Sequence, residues 1–115
     1  MIFDEYEVSI EYFDKALALE AAAHDITQKR YEFLYNNKGI TYATMGMFDS
    51  SMYNHSLCLA VRLLREDDFG IGQSYNNMGT VYYETEKYDS ALYYFELGLD
   101  YRSKSEKATK SSIQE

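Results

Sequence analysis

Aromatic and small residues recur along the chain at helical spacing. Tyr35, Gly39 and Tyr42 fall at i, i+4 and i+7, and so do Tyr75, Gly79 and Tyr82, which places each set on one helix face. Phe48, Ser51 and His55 make a second kind of stripe with Met52 beside it, and Tyr88, Ala91 and Phe95 repeat that stripe with Leu92 beside it. The pattern predicts helices near 5–22, 26–45, 48–65, 69–85 and 88–104. Gly46 suits a helix end that needs positive φ, and Asp49 and Asp89 fall in first turns, where a negative charge meets the positive end of the macrodipole. Asp25 followed by Gln28 resembles a capping box, and Asp68, after Glu66 and Asp67, is expected to cap the helix that follows it. The last residues, SKSEKATKSSIQE, carry no aromatic stripe, so 105–115 is expected to be a polar tail, either a frayed extension or disordered.

The helices are copies of one another. Sliding the sequence by forty lays YNNKG (35–39) on YNNMG (75–79), Phe48-Asp49-Ser50 on Tyr88-Asp89-Ser90, Tyr53 on Tyr93, Leu57 on Leu97 and Leu59 on Leu99. A partial copy lies upstream at a shift of forty-two, with Tyr6, Ser9, Phe13 and Leu17 on Phe48, Ser51, His55 and Leu59. The organisation that follows is a repeat array over 1–104: a lone second helix at 5–22, one full two-helix unit at 26–65 and another at 69–104. Glycine inside a helix costs roughly 1 kcal/mol against alanine, so Gly39 and Gly79 imply close approach of the paired helix, with Ser51 and Ala91 facing them.

An aromatic, a glycine four residues on, a tyrosine three further, a short turn, and then an aromatic, a small residue and a second aromatic form the pattern of the tetratricopeptide repeat. The chain resembles that family. The matching residues are Tyr35, Gly39, Tyr42, Phe48, Ser51 and Cys58 in the first full unit and Tyr75, Gly79, Tyr82, Tyr88, Ala91, Phe95 and Gly98 in the second, and they span most of 5–101. The usual period is 34 residues with a closing proline, whereas here the period is about forty and there is no proline. In this the chain is similar to a long-helix branch of the family found in bacterial signalling proteins, kinesin light chains and spindle-orientation scaffolds. Lys38 stands where a leucine is usual, which puts one packing contact in question. The resemblance implies an all-α fold: a right-handed solenoid of antiparallel helix pairs, about two and a half units built from five helices.

At 115 residues the chain has room for one domain or a short array, and thirteen Tyr with six Phe supply a folded core. No apolar run approaches the roughly 20 residues that span a bilayer, and Met1 is followed by acidic Asp4 and Glu5, so neither a membrane segment nor a signal peptide is expected. The net charge of −8 argues against a phosphate backbone as ligand, so nucleic acid is not an expected partner. Residues 1–100 carry 7 basic against 17 acidic side chains, while 101–115 carry 4 basic against 2 acidic. A single cysteine, Cys58, permits no internal disulfide, and a cytoplasmic setting is the default.

Catalytic and metal chemistry find no foothold. Neither His24 nor His55 has a second His or a Cys at ligand spacing, and His55 takes the place of Phe95 and Phe13, so it reads as a packed imidazole. Cys58 aligns with Ala16 and Gly98, small residues where helices approach, and reads as an inert buried thiol. FGIG (69–72) lacks the lysine and the preceding strand of a phosphate loop, and Glu84 and Glu86, two apart on a helix, point away from each other. Repeat register assigns Tyr35, Tyr42, Tyr75, Tyr82 and Tyr88 to packing rather than to base stacking. No enzyme activity and no cofactor are expected.

The function implied is binding: an interaction module that holds a peptide segment of a partner in the concave groove, with a structural or regulatory segment used for dimerisation or signal relay as the alternative. If Gly39 faces the paired helix, Asn37 two residues earlier points roughly 160° away, into the groove, and Asn77 does the same one unit later. Phe33, Asn37, Ile40 and Thr44 then make one groove stripe and Gln73, Asn77, Thr80 and Glu84 another. Asn36 and Asn76 flank them, with Ala43 and Tyr83 further along. An asparagine amide pairs with both the C=O and the N–H of a peptide unit, which is the role that the resemblance also implies, and Glu84 favours a ligand with a basic residue. A clamp for chaperone C-termini is disfavoured because its lysine positions hold Asn36 and Gln73. The helix at 5–22 has no first helix to cover it, so Ile10, Phe13 and Leu17 are expected to keep an uncovered side, through which the chain self-associates or continues a longer array.

Overall fold

The computed structural model of the chain describes residues 2–23 and 29–114. Among them the chain forms five helices and no strand: α1 (Ile2–Ala23), α2 (Lys29–Thr44), α3 (Phe48–Leu64), α4 (Asp68–Glu84) and α5 (Tyr88–Gln114). Each helix packs on its neighbour in sequence, and beyond those pairs only α2 and α4 touch. The result is an all-α helical repeat, a slab of 51 × 39 × 19 Å whose thin dimension is about two helix diameters.

Three turns of one design set the period. Gly46, Glu66 and Glu86 follow one another at intervals of twenty and adopt positive φ of 77°, 54° and 63°. At each, the left-handed residue donates its N–H three residues back (Gly46 to Ala43 at 3.0 Å, Glu66 to Leu63 at 3.1 Å, Glu86 to Tyr83 at 3.0 Å). The next residue donates five back (Met47 to Tyr42 at 2.8 Å, Asp67 to Arg62 at 3.1 Å, Lys87 to Tyr82 at 2.8 Å). This is the Schellman arrangement, which satisfies the last carbonyls of the outgoing helix and reverses the chain within three residues. Helices of 17 residues alternate with three-residue turns, so a pair repeats after forty residues without needing a proline.

Several local expectations change. The N-cap of α4 is Asp67, whose carboxylate accepts from Gly70 N–H at 3.1 Å; Asp68 is already the first helical residue. The capping reading at Asp25 and Gln28, like His24, lies outside the described residues. α5 does not stop at 104 but runs on to Gln114, through the Ser- and Lys-rich residues read as a polar tail. Lys38 does pack, although not as a leucine would: it forms an ion pair with Asp14 of α1 and lies 5.9 Å from the Tyr42 ring.

Close packing follows the glycines. A Cβ on Gly39 would stand 2.6 Å from the His55 ring, and one on Gly79 would stand 2.7 Å from Phe95, so both helix pairs meet where no side chain fits. Ser51 uses the closeness to donate its hydroxyl to the Gly39 carbonyl at 2.7 Å, fully buried. Between the units lies a buried polar joint. Glu32 of α2 receives Arg62 Nε at 3.0 Å and pairs with Arg65. Arg62 Nη1 meanwhile reaches the Gly70 carbonyl and the Ser74 hydroxyl of α4, each at 3.0 Å. At the other end, Ile10 of α1 is buried and Phe13 half-buried, whereas Val8 and Tyr12 stay exposed; the Leu17 side chain lies outside the described ones.

Candidate functional site

The contact between α2 and α4 brings their outward faces together and leaves two adjoining clefts. The first, of about 410 Å³, takes Ile40, Ala43 and Thr44 from α2, Asn77, Thr80, Val81 and Glu84 from α4, and His55 from α3. The second, of about 260 Å³, takes Asn36 and Ile40 from α2, Gln73, Asn76 and Asn77 from α4, and Arg102 from α5. Ile40 and Asn77 belong to both, so the clefts meet at that pair.

Asn77 Nδ2 donates to Asn36 Oδ1 across the two units at 2.9 Å. The bond ties both amides and leaves Asn77 Oδ1 and Asn36 Nδ2 without a hydrogen bond among the described residues, one spare acceptor and one spare donor. The threonines are used differently. Thr44 and Thr80 donate their hydroxyls to the carbonyls of Ile40 and Asn76, each at 3.0 Å, so their protons are committed within their own helices.

Eight of the residues expected to line a groove are thus assembled in the two clefts: Asn36, Ile40, Thr44, Gln73, Asn76, Asn77, Thr80 and Glu84. Three stand elsewhere. Asn37 is half-buried and lines neither cleft, with its carbonyl taken by Thr41 Oγ1 at 2.8 Å. Phe33 lines a separate apolar cleft of about 420 Å³ between α1 and α2, with Tyr12, Ala16, Lys29, Arg30 and Leu34. Tyr83 sits edge-on to Tyr88, with ring centroids 5.5 Å apart. The clefts also contain residues that the stripes do not reach, among them His55, Val81 and Arg102. Only Arg102 left a trace in the sequence, since it stands forty residues after Arg62.

Burial governs the chemistry of the neighbouring titratable groups. The His55 imidazole is 2 % exposed, and burial, helped by the nearby Arg62 charge, lowers its pKa to about 4; its Nδ1 has no hydrogen-bond partner among the described residues. At neutral pH it is a neutral wall of the cleft. Burial likewise pushes the Cys58 thiol up, and the sulfur donates to the Glu32 carbonyl at 3.4 Å, which suits packing rather than nucleophilic work. Among the described residues no three of His, Cys, Asp and Glu gather as a metal ion would require, and no helix is long and apolar enough to cross a membrane.

Residues 72–105 match the sequence profile of the tetratricopeptide repeat, a stretch that starts within α4 and ends within α5. A solved structure, a crystal structure of MamA, is similar, with a TM-score of 0.72 and 23% identity over 92% of this chain and 54% of that one. At that identity the likeness speaks for the fold, and the chain spans about half the length of the structure it matches. No curated protein matches.

Proposed function

We propose that this chain, a tetratricopeptide-repeat protein with an all-helical repeat fold, is an interaction module that holds an extended peptide segment of a partner along α2 and α4. Repeats of this family generally mediate protein–protein contact, and the two clefts between α2 and α4 support a reading in which the partner lies along them. The observation that carries the reading is the Asn36–Asn77 pair. Its spare acceptor and donor are the two groups that the N–H and C=O of one peptide unit require, so the grip does not depend on the ligand's side chain. Ile40 beside the pair offers an apolar contact at 46 % exposure, and Glu84 at the far end of the first cleft draws a basic side chain.

The reading is tested with peptides selected on the full chain from a random dodecamer display library. Selected peptides should lose affinity about fivefold on Asn36→Ala or Asn77→Ala, the loss of a contact of roughly 1 kcal/mol, while the thermal melt stays in place. A lowered melt with affinity intact makes the asparagines structural and defeats the reading. So does a library that yields no peptide sensitive to either change.

A further inference from the structure

The two units treat one arginine in opposite ways. Arg62, in the last turn of α3, gives its Nε to the Glu32 carboxylate and its Nη1 to Gly70 and Ser74 of the next helix. Forty residues on, Arg102 occupies the same place on α5, but the counterpart of Glu32 is Gly72, which has no carboxylate to offer. The bare glycine lets the arginine lie close: a Cβ there would fall 2.8 Å from Arg102 Cγ. Its guanidinium carbon lies 5.7 Å from the Phe69 ring, and the residue lines the second cleft with Gln73, Asn76 and Asn36. Among the described residues no carboxylate pairs with it. The fold therefore contains one buried arginine with a carboxylate partner built in and a second, exposed at the matching place of the next unit, that lines a polar cleft and has no carboxylate partner among the described residues.

We infer that Arg102 is the acidic-residue subsite of the peptide groove, and that the groove as a whole selects segments with an acidic side chain at the Arg102 end and a basic one at the Glu84 end. A planar guanidinium held over an aromatic ring presents two parallel N–H donors to a carboxylate, and the amides of Gln73 and Asn76 supply further donors around it. The charge of the scaffold supports the same polarity, because the basic excess of the chain begins at Arg102 while the body carrying Glu84 is acidic. Gln73 and Glu84 lie eleven residues apart on α4, about 16 Å along the helix, which an extended chain covers in about five residues. The ligand is then a segment with Asp or Glu and, about five positions away, Lys or Arg. This inference rests on the groove reading and refines it.

Dodecamers selected on the parent chain should be enriched in acidic and basic residues about five positions apart. Replacing the acidic residue of a selected peptide by alanine should weaken binding about threefold to tenfold, more at low salt than at high. On Arg102→Glu the preference at that position should reverse to a basic residue, while dependence on Asn77 persists. Peptides that depend on Asn77 but show no acidic preference, or whose preference ignores Arg102→Glu, overturn the subsite and leave the groove standing. Selection of peptides that answer to Arg102 but not to the asparagines would remove the groove reading instead. Acidic dependence confined to a free C-terminal carboxylate, read by comparing acid and amide forms of one peptide, would also overturn the side-chain assignment.

Discussion

The first full unit and the second share a backbone plan and differ in what fills it. Between α2 and α3 the contact is polar: Ser51 bonds to the Gly39 carbonyl, Asn54 is buried with its amide on the Ser50 carbonyl, and His55 lies over Gly39. Between α4 and α5 the same places hold Ala91, Tyr94 and Phe95, and the Tyr94 ring stacks on Tyr82 with centroids 5.2 Å apart and lies tilted to Tyr75 at 5.9 Å. Ser51 and Asn54 satisfy their polar groups within the pair itself, on α2 and on their own helix, whereas the tyrosines of the second unit combine a ring that packs with a hydroxyl that can reach water. The same scaffold therefore accepts a hydrogen-bonded or an aromatic filling provided that the glycine contact is kept.

The strongest way to break the contrast is at the arginines. Glu32→Ala strands a buried guanidinium and should cost about 3 kcal/mol in urea unfolding, whereas Arg102→Ala, at the matching exposed place, should cost less than about 1 kcal/mol. Equal losses would mean that the buried joint contributes nothing special.

The next test concerns His55. Its folded pKa, about 4, lies below the ordinary value near 6.5. Between those values the unfolded chain binds more protons than the folded one, so stability should fall as the pH drops from about 6.5 to about 4, by up to about 3 kcal/mol from this residue. His55→Phe copies the second unit, fits the same glycine contact and removes an unpartnered nitrogen. Melts of the variant should lose that part of the pH slope; an unchanged slope would assign it to other groups.

The smallest effect lies in the turns, where the units ought to agree. Glu86→Gly removes an L side chain from a left-handed φ of 63° and should stabilise by about 1 kcal/mol, while Gly46→Ala, at 77°, should destabilise by a similar amount. Thermal melts of the two variants moving in the same direction would contradict the shared turn geometry.

The sequence made the helices legible because their buried faces carry aromatics and glycines at regular intervals, and the repeat made the pairing legible. What it concealed was polar. Glu32 and Arg62 carry no signal of their own, since nothing in one strand of letters says that a glutamate thirty residues before an arginine will meet it in the interior, and Lys38 in place of a leucine does not announce its ion pair with Asp14. The extension of α5 was hidden for a related reason: a helix without an apolar stripe shows only its propensity, and Lys, Glu and Ala form helix well even where nothing packs on them. The stripes put Asn77, Thr80 and Glu84 on one face, and these line a cleft together, but they gave Asn37 the same outlook as Asn77. The structure separates the two because Asn77 bonds across to Asn36 of the other unit, whereas Asn37 lines neither cleft.

Contact between successive helices, with only α2 and α4 meeting out of order, also bears on how the chain comes apart. Few contacts close long loops, so assembly should be fast and should be able to start from either helix pair. Unfolding need not be all-or-none: α1, bonded to a single neighbour, can leave with little effect on the remainder, and its amides should exchange with solvent first. The Glu32–Arg62 joint works in the opposite sense. By binding α2, α3 and α4 through one guanidinium, it makes those three helices a single cooperative block, and that block is the one that keeps the facing surfaces of α2 and α4 in register.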